Sequence, residues 1–502
     1  MAAVDSSGGE WIDEKGSAPG DRGLRGGALG LISSIVIGVA STAPGYSLAA
    51  SLGIVVAAVG FYAPAVLWVT FIPMLFIAAA FFYMNKADPD CGTTFSWTTK
   101  AFGPWAGWLG GWAALIAQVI VIANLSQIAG QYSFLLVGAD SLAGSTFWVT
   151  VVGVIWIAVM SWICYVGIEA SAKTQWFLLA AEILALLLFA VIALIRVYTS
   201  NPAGSVHPSL SWLNPFEISS TSALVAGVLA SIFIYWGWDA TVSVNEETED
   251  SRKTPGIAAI VSTVILVGIY VVVAIAAIAF HGPKFLELNQ VDVLAALGND
   301  VLGSPLDKIL IIAVLTSASA STQTTILPST RTALSMGVQG AFPKRFASVH
   351  RTHMTPGVAT IWMAVISTIW FVGLTVVSQN ALYDSILSIG LFILLYYGMT
   401  GLAAVVYFRR ELTKSMKNFL FIGVAPLIGT ACMAGILVKS VIDLSKPENS
   451  ESGESWFGLG PPLVIAIGFM ILGVLLMFWR FVNHREFFQR HLEVADPAVL
   501  DA

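Results

Sequence analysis

The chain has 502 residues, of which 57% are hydrophobic and 11% are charged, and its mean hydropathy is +0.82. This composition excludes an ordinary soluble domain and indicates an integral membrane protein. The net charge of −6 comes without any basic patch, so we expect no nucleic acid partner.

The first 27 residues are polar and lack the apolar core and cleavage site of a signal peptide. They are rich in Gly, Ser and acidic residues, a composition typical of disorder. We therefore expect residues 1–27 to form a disordered cytoplasmic tail, with the first apolar run acting as an uncleaved insertion signal.

Twelve apolar runs follow, each close to the length of about 20 residues that crosses a bilayer. The runs, numbered in chain order, begin near Ala28, Phe61, Pro104, Ser145, Lys173, Thr221, Gly256, Pro305, Pro356, Leu382, Lys417 and Gly458. With the N-terminus inside, 19 of the 24 lysine and arginine residues lie in cytoplasmic segments. The pattern predicts an all-α, multi-pass protein with twelve transmembrane helices and both termini in the cytoplasm.

Run 1 contains the stretch "GVASTAPGYS", which places hydroxyls, glycines and a proline inside an apolar segment. Pro44 lacks an N–H and interrupts helical hydrogen bonding, while Gly38 and Gly45 allow unusual backbone angles and close approach. Because unpaired backbone groups in a membrane must face protein or water, a break at Ser41 and Thr42 indicates a polar cavity. The alternative is a proline kink between packed helices.

Run 5 contains an acid, Glu182, nine residues after Lys173 and about 13 Å along a helix. A carboxylate near the bilayer centre costs roughly 2.5 to 3.5 kcal/mol, so it faces a cavity, pairs with a cation or stays protonated. We hypothesise that Glu182 gains and loses a proton as the cavity opens to either side. The alternative is a neutral acid bonded to a run 1 carbonyl.

Run 6 contains "FIYWGWDATVSVNEET", where Gly237 and Asp239 interrupt an aromatic, apolar stretch. The two interruptions are five helices apart, as expected for inverted repeats that each contribute one discontinuous helix to a binding site.

Run 8 is rich in hydroxyls, including Ser317 and Ser321, which would suit a sodium ion or close helix packing.

Four stretches carry a resemblance to a known family: "STAPG", "TTFSWTTKAFGPWAGWLGGW", "YWGWDATVSVNEET" and "STRTALSMGVQGAFPKRFASVHRTHMTPGVA". They resemble the amino acid-polyamine-organocation superfamily of secondary transporters, which has the leucine-transporter-type fold. Together they cover roughly 28–409. The resemblance implies a 5+5 inverted repeat with discontinuous helices 1 and 6, organised as a transport core over 28–410, two appended helices over 411–483 and a cytoplasmic tail over 484–502.

The resemblance also implies a substrate held between helices 1, 3, 6, 8 and 10. The substrate carboxylate would meet the backbone amides of the run 1 break, and an ammonium group would meet carbonyls near Ala40 and Phe233. An aromatic gate maps onto Phe233 or Trp236, with packing as the alternative for the run 6 aromatics. The candidate substrate-binding residues are Ala40, Ser41, Thr42, Ala43, Gly45, Phe233, Trp236, Gly237 and Asp239.

Coupling residues follow from the same resemblance. Proton-coupled relatives carry a lysine in helix 5, and Glu182 occupies a comparable place with a different residue type. Some cationic amino acid exchangers carry an acidic pH sensor near Asp239, which we expect to bind an ammonium or to titrate, unless it only caps the second half of helix 6. Sodium-coupled members use helix 8 hydroxyls, which makes Ser317 and Ser321 a candidate ion site.

The sequence thus predicts a plasma-membrane importer of an amino acid or related organic amine, preferably by proton symport. An exchanger of amino acids or polyamines is the nearest alternative, ahead of a sodium symporter or a channel. Cys91, Cys164 and Cys432 are widely separated and no histidine pair has metal-ligand spacing, so we expect no metal or cofactor. No nucleophile–base pair or phosphate loop indicates an enzyme.

Overall fold

The computed structural model describes residues 11–12, 22–289, 292–377, 379–450 and 452–489. Most of the predicted N-terminal tail and the end of the predicted C-terminal tail, from residue 490, lie outside the described residues. The described chain is almost entirely helical, and its paired strands are β1, Trp11–Ile12, and β2, Val349–His350, which pair antiparallel.

In chain order, the first ten helices are α1 Leu31–Ser41, α2 Pro44–Val59, α3 Ala63–Ala87, α4 Thr94–Phe102, α5 Pro104–Leu136, α6 Asp140–Ala143, α7 Thr146–Val166, α8 Ile168–Thr199, α9 Thr221–Ile232 and α10 Ala240–Ser243. They are followed by α11 Thr254–Leu288, α12 Val293–Leu302, α13 Lys308–Val338, α14 Gly357–Val377, α15 Gln379–Tyr407, α16 Met416–Asn418, α17 Ala425–Leu444, α18 Pro461–Asn483 and α19 Glu486–Gln489.

Eleven helical stretches of the described chain are long and apolar enough to cross a membrane. The first, Leu31–Ala87, has 57 residues and contains α1, α2 and α3, so it includes both of the first two predicted runs. Each predicted run begins within five residues of an observed helix start. The largest difference is in run 5, predicted from near Lys173, because α8 already begins at Ile168.

Two helices, α5 and α13, form the centre of the structure and are buried around most of their circumference. Helix α13 can pack closely because its middle is built from serine, alanine and threonine, small residues that let helices approach in membranes. Most of its hydroxyls also bond to carbonyls of their own helix, for example Thr322 Oγ1 to the Ala318 oxygen at 2.8 Å. In contrast, α14, α17 and α18 expose large apolar side chains on their outer faces.

The segment before α1 packs against the chain that follows α10. Leu29 forms a parallel bridge with Thr248, in which the Leu29 amide donates to the Glu247 carbonyl at 3.0 Å. The Glu249 amide donates back to the Leu29 carbonyl at 2.8 Å. The entrance to α1 is therefore joined directly to the end of the interrupted run 6.

Candidate functional site

The first interruption lies between α1 and α2, at the place predicted from "STAPG". Ala43 has φ 48° and ψ 62°, the left-handed conformation, and Pro44 is the first residue of α2. The physical cause is local: the proline ring disfavours the right-handed helical conformation in the residue before it, and Pro44 offers no N–H to continue the helix.

Hydroxyl groups satisfy the backbone around this break. Ser41 Oγ donates to the Ile37 oxygen at 2.8 Å and Thr42 Oγ1 donates to the Val39 oxygen at 2.7 Å. Ser47 Oγ donates to the Thr42 oxygen at 2.7 Å. The Thr42 hydroxyl adds to the bond that the Thr42 amide already makes to the Val39 oxygen, whereas Ser47 supplies a donor to the Thr42 oxygen, whose usual donor, the Tyr46 amide, bonds elsewhere.

The second interruption separates α9 from α10. A short 3₁₀ turn, Phe233–Tyr235, follows α9, then Trp236 is extended and Gly237 has φ +119°, a conformation that favours glycine. A methyl group on Gly237 would lie 2.5 Å from the Ser41 oxygen. The two interruptions are thus in direct contact, and Gly237 allows that contact.

The predicted ammonium acceptors already accept hydrogen bonds within the chain. The Ala40 oxygen accepts from the Ala43 amide at 3.1 Å, and the Phe233 oxygen accepts from the Trp236 amide at 3.0 Å. The Phe233 ring stands edge-on to Tyr46, with 6.3 Å between centroids. Because a carbonyl oxygen has two lone pairs, the Phe233 oxygen can accept a further donor, whereas the Ala40 oxygen already receives the Thr42 and Ala43 amides.

Glu182 lies against the first turn of α2. Its Oε1 accepts a hydrogen bond from the Gly45 amide at 2.7 Å, and the neighbouring Tyr46 amide donates to Ser317 Oγ at 3.1 Å. Glu182 is fully buried, and its Oε2 has no hydrogen-bond partner within the described chain. The alternative of a bond to a run 1 carbonyl is wrong, because the observed partner is an amide.

This geometry has a consequence for the predicted carboxylate site. Amides in the first turn of a helix attract negative charge, and here Glu182 and Ser317 occupy two of them. A substrate carboxylate could therefore bind the Gly45 amide only after the hydrogen bond between that amide and Glu182 is broken.

Asp239 is buried between the second interruption and α15. Tyr397 donates its hydroxyl to Asp239 Oδ1 at 2.9 Å, and Tyr396 donates to Oδ2 at 3.0 Å. The Trp236 Nε1–H in turn donates to the Tyr396 hydroxyl. Asp239 precedes α10 but its side chain makes no capping hydrogen bond, so the capping alternative is wrong.

The other aromatic residues of run 6 have packing roles. The Tyr235 hydroxyl donates to the Leu67 oxygen at 2.9 Å. The Trp238 ring packs on Phe81 and Tyr397, with centroids 5.1 and 5.3 Å away. Packing is therefore the observed arrangement for these two residues, whereas the Trp236 indole is hydrogen-bonded to α15.

The candidate ion residues are already engaged within the protein. Ser321 Oγ donates to the Ser41 oxygen at 2.9 Å, and Ser317 Oγ accepts from the Tyr46 amide. The Gln175 amide group on α8 donates to the Ala320 oxygen at 2.9 Å. These contacts join α13 to the first interruption and to α8 through hydrogen bonds.

At the other end of run 6, Glu246 joins a cluster of charged residues from distant parts of the chain. The guanidinium group of Arg22 lies 2.7 Å from Asp90 Oδ2, 3.0 Å from Glu246 Oε1 and 3.1 Å from Cys91 Sγ. Asp90, Cys91 and Glu246 have the donor atoms and spacing to hold a metal ion. The Arg22 guanidinium already supplies positive charge to this cluster.

The ionisation of this cluster follows from its charges. Burial favours a neutral Asp90, but Arg22 outweighs it and holds the pKa of Asp90 below its usual range. Burial, together with the charge of Glu246, raises the pKa of the Cys91 thiol well above its usual value. Beside the cluster, Arg331 and Glu247 form a fully buried pair joined by hydrogen bonds of 2.8 and 2.9 Å.

The eleven apolar helical stretches of the described chain are those of a multi-pass membrane protein. The sequence profile described as "Amino acid permease" matches residues 27–482, so the chain belongs to the amino acid permease family. This is a family of transporters, which is not an enzyme class.

Individual relatives have low sequence identity to this chain, and each alignment covers only part of the two sequences. The human Asc-type amino acid transporter 1 is 25% identical over 69% of this chain and 64% of its own length. The branched-chain amino acid permease BcaP of Lactococcus lactis is 24% identical over 41% of this chain and 46% of its own length. BcaP of Bacillus subtilis is 23% identical over 59% and 64%. The chain therefore spans about half to two-thirds of these relatives.

Proposed function

We propose that the protein is a proton-coupled importer of an amino acid or related organic amine, working by alternating access around the two interruptions. In this proposal it crosses the plasma membrane twelve times, with ten core helices over 28–410 in a 5+5 inverted repeat and helices 11 and 12 over 411–483. Both tails, 1–27 and 484–502, face the cytoplasm. The family and the names of the relatives support an amino acid as the substrate.

The observation that carries the proposal is the hydrogen bond between Glu182 and the Gly45 amide. An ionised carboxylate is a stronger acceptor than a protonated one, so protonation of Glu182 weakens this bond. The freed Gly45 amide then binds the substrate carboxylate, with Ser41, Thr42 and Ala43 forming the adjoining backbone. Proton and substrate binding become linked, and each raises the affinity for the other by the same factor.

The second interruption provides the remaining contacts. The Ala40 and Phe233 oxygens face the substrate ammonium, and the Phe233 and Trp236 rings form the wall nearest the cation. Gly237 keeps the two interruptions in contact. Asp239 is the second proton-binding or ammonium-binding candidate. We favour protons over sodium because Ser317 and Ser321 already hold hydrogen bonds across the break.

The test uses purified protein reconstituted into liposomes. A first screen by thermal stabilisation compares zwitterionic amino acids with the corresponding amines, since a ligand of the native state raises its apparent stability. Stabilisation by zwitterions alone supports carboxylate capture at Gly45, whereas stabilisation by bare amines moves recognition to Asp239 and the aromatics. Uptake of the best ligand is then measured with and without an inwardly directed proton gradient.

Glu182→Gln is the decisive variant, because the amide resembles the protonated acid and cannot ionise. We expect it to retain substrate counterflow but to lose acceleration by the proton gradient. Glu287→Gln, at an exposed acid, is the matched control and should behave as wild type. Proton-driven accumulation that survives Glu182→Gln overturns the coupling role. Uptake only into preloaded vesicles identifies an exchanger, and conduction without counterflow identifies a channel.

A further inference from the structure

We propose that Tyr396 is a selectivity-determining residue that acts by positioning Trp236 at the substrate site. The inference rests on the proposed function, which places Trp236 beside the substrate, and it assigns a role to a residue on α15 that needs no contact with the substrate itself.

Tyr396 makes two hydrogen bonds through one hydroxyl group. It donates to Asp239 Oδ2 at 3.0 Å and accepts from Trp236 Nε1. A phenol has one hydrogen to donate, and Asp239 takes it, so the oxygen is left to accept from the indole. When Asp239 is ionised, the donor and acceptor directions along Trp236, Tyr396 and Asp239 are therefore fixed.

Trp236 depends on this hydrogen bond more than a helical residue would. Its backbone is extended, with ψ 143°, and it lies between the 3₁₀ turn and Gly237, outside any helix. Side chains of a regular helix are confined by the preceding turn, and a residue in a break lacks that restriction. The Tyr396 hydroxyl therefore holds the direction in which the indole projects.

Tyr397 provides an internal comparison. It also donates to Asp239, at 2.9 Å to Oδ1, and it is as deeply buried as its neighbour. Its ring packs on Trp238 rather than binding Trp236. Removing either hydroxyl deprives the same carboxylate of one donor, but only the Tyr396 hydroxyl holds the Trp236 indole.

The property of the substrate that this arrangement discriminates is the size of its side chain. A rigid aromatic wall discriminates between substrates that differ by a few methylene groups, typically by 10- to 200-fold for one group. When the Trp236 indole can rotate, it no longer limits the space for the substrate side chain, and the discrimination between substrates of different size falls. Tyr396 thus sets selectivity among amino acids without determining whether an amino acid is bound.

The experiment compares Tyr396→Phe with Tyr397→Phe in proteoliposomes. The measured quantity is the ratio of kcat/KM for leucine to kcat/KM for alanine. We expect Tyr396→Phe to move the ratio by about tenfold and Tyr397→Phe by less than about twofold, with similar losses of thermal stability for both. Equal shifts in the two variants, or no shift in Tyr396→Phe, would overturn the inference.

Trp236→Phe provides a second test that leaves both phenols on Asp239. It should move the ratio in the same direction as Tyr396→Phe, and the double variant should add little, because the two residues act as one unit. Additive shifts would contradict the inference, and so would an unchanged ratio in Trp236→Phe. Wild-type protein that transports no amino acid overturns the proposed function as well, whereas normal transport with an unchanged ratio overturns only the role of Tyr396.

Discussion

Gly237→Ala tests the contact between the two interruptions most directly. The new methyl group would lie 2.5 Å from the Ser41 oxygen, whereas an ordinary carbon–oxygen contact begins at about 3.3 Å. Alanine would also have to adopt φ +119°, which costs about 1–3 kcal/mol. Forcing extra volume into a packed site costs another 1–3 kcal/mol or so, which gives about 4 kcal/mol in total.

Gly268→Ala is the matched control, because Gly268 lies inside α11 with no atom within 4 Å of an added methyl group. Alanine there should leave stability unchanged or raise it by up to about 1 kcal/mol. Both variants are compared by denaturant titration in mixed micelles and by substrate counterflow. We expect Gly237→Ala to lose stability and counterflow while Gly268→Ala keeps both. A Gly237→Ala protein as stable and active as its control would refute the requirement for contact.

Two further predictions concern the charged residues beyond the second interruption. Arg331→Met should destabilise the protein by about 3–5 kcal/mol in the same titration, because it leaves Glu247 buried without its cation, whereas Lys439→Met, which removes an exposed pair, should cost no more than about 1 kcal/mol. Equal losses would show that burial does not govern these pairs. Arg22→Ala should slow the alkylation of Cys91 by N-ethylmaleimide several-fold, as measured by mass spectrometry, because the Arg22 guanidinium lowers the pKa of the buried thiol and its loss leaves less thiolate. Unchanged or faster labelling would show that the charge of Arg22 does not control the reactivity of the thiol.

Much of the architecture could be predicted from the sequence because its signals are local. Apolar runs gave helix positions within five residues, and Pro44 and Gly237 marked both interruptions. The conformational detail at the first break was less accessible. The glycines on either side are the evident candidates for unusual backbone angles, but it is Ala43, immediately before Pro44, that takes the left-handed conformation. Gly38 instead serves close packing, as a methyl group there would lie 2.4 Å from Ser262 Oγ.

The contacts within the candidate site were harder to predict because they join distant parts of the chain. Glu182 stands out in the sequence as an acid near the middle of an apolar run, but its partner, the Gly45 amide, is 137 residues away. The phenols of Tyr396 and Tyr397 read in the sequence as ordinary aromatic residues of an apolar helix. Arg22 lies in a polar segment whose composition indicates no function, and only the folded chain brings it to Asp90.

The position of Glu182 along α8 has a consequence for the energetics of the cycle. It follows Ile168 by 14 residues, about 21 Å along a helix of about 48 Å, so a proton bound there has crossed part of the electric field of the membrane. Symport of a proton with a zwitterion moves one elementary charge per cycle, and 100 mV is worth about 2.3 kcal/mol per charge. Under the proposed coupling, that voltage alone sustains an accumulation of about 50-fold. The dependence on voltage would be divided between proton entry and proton release.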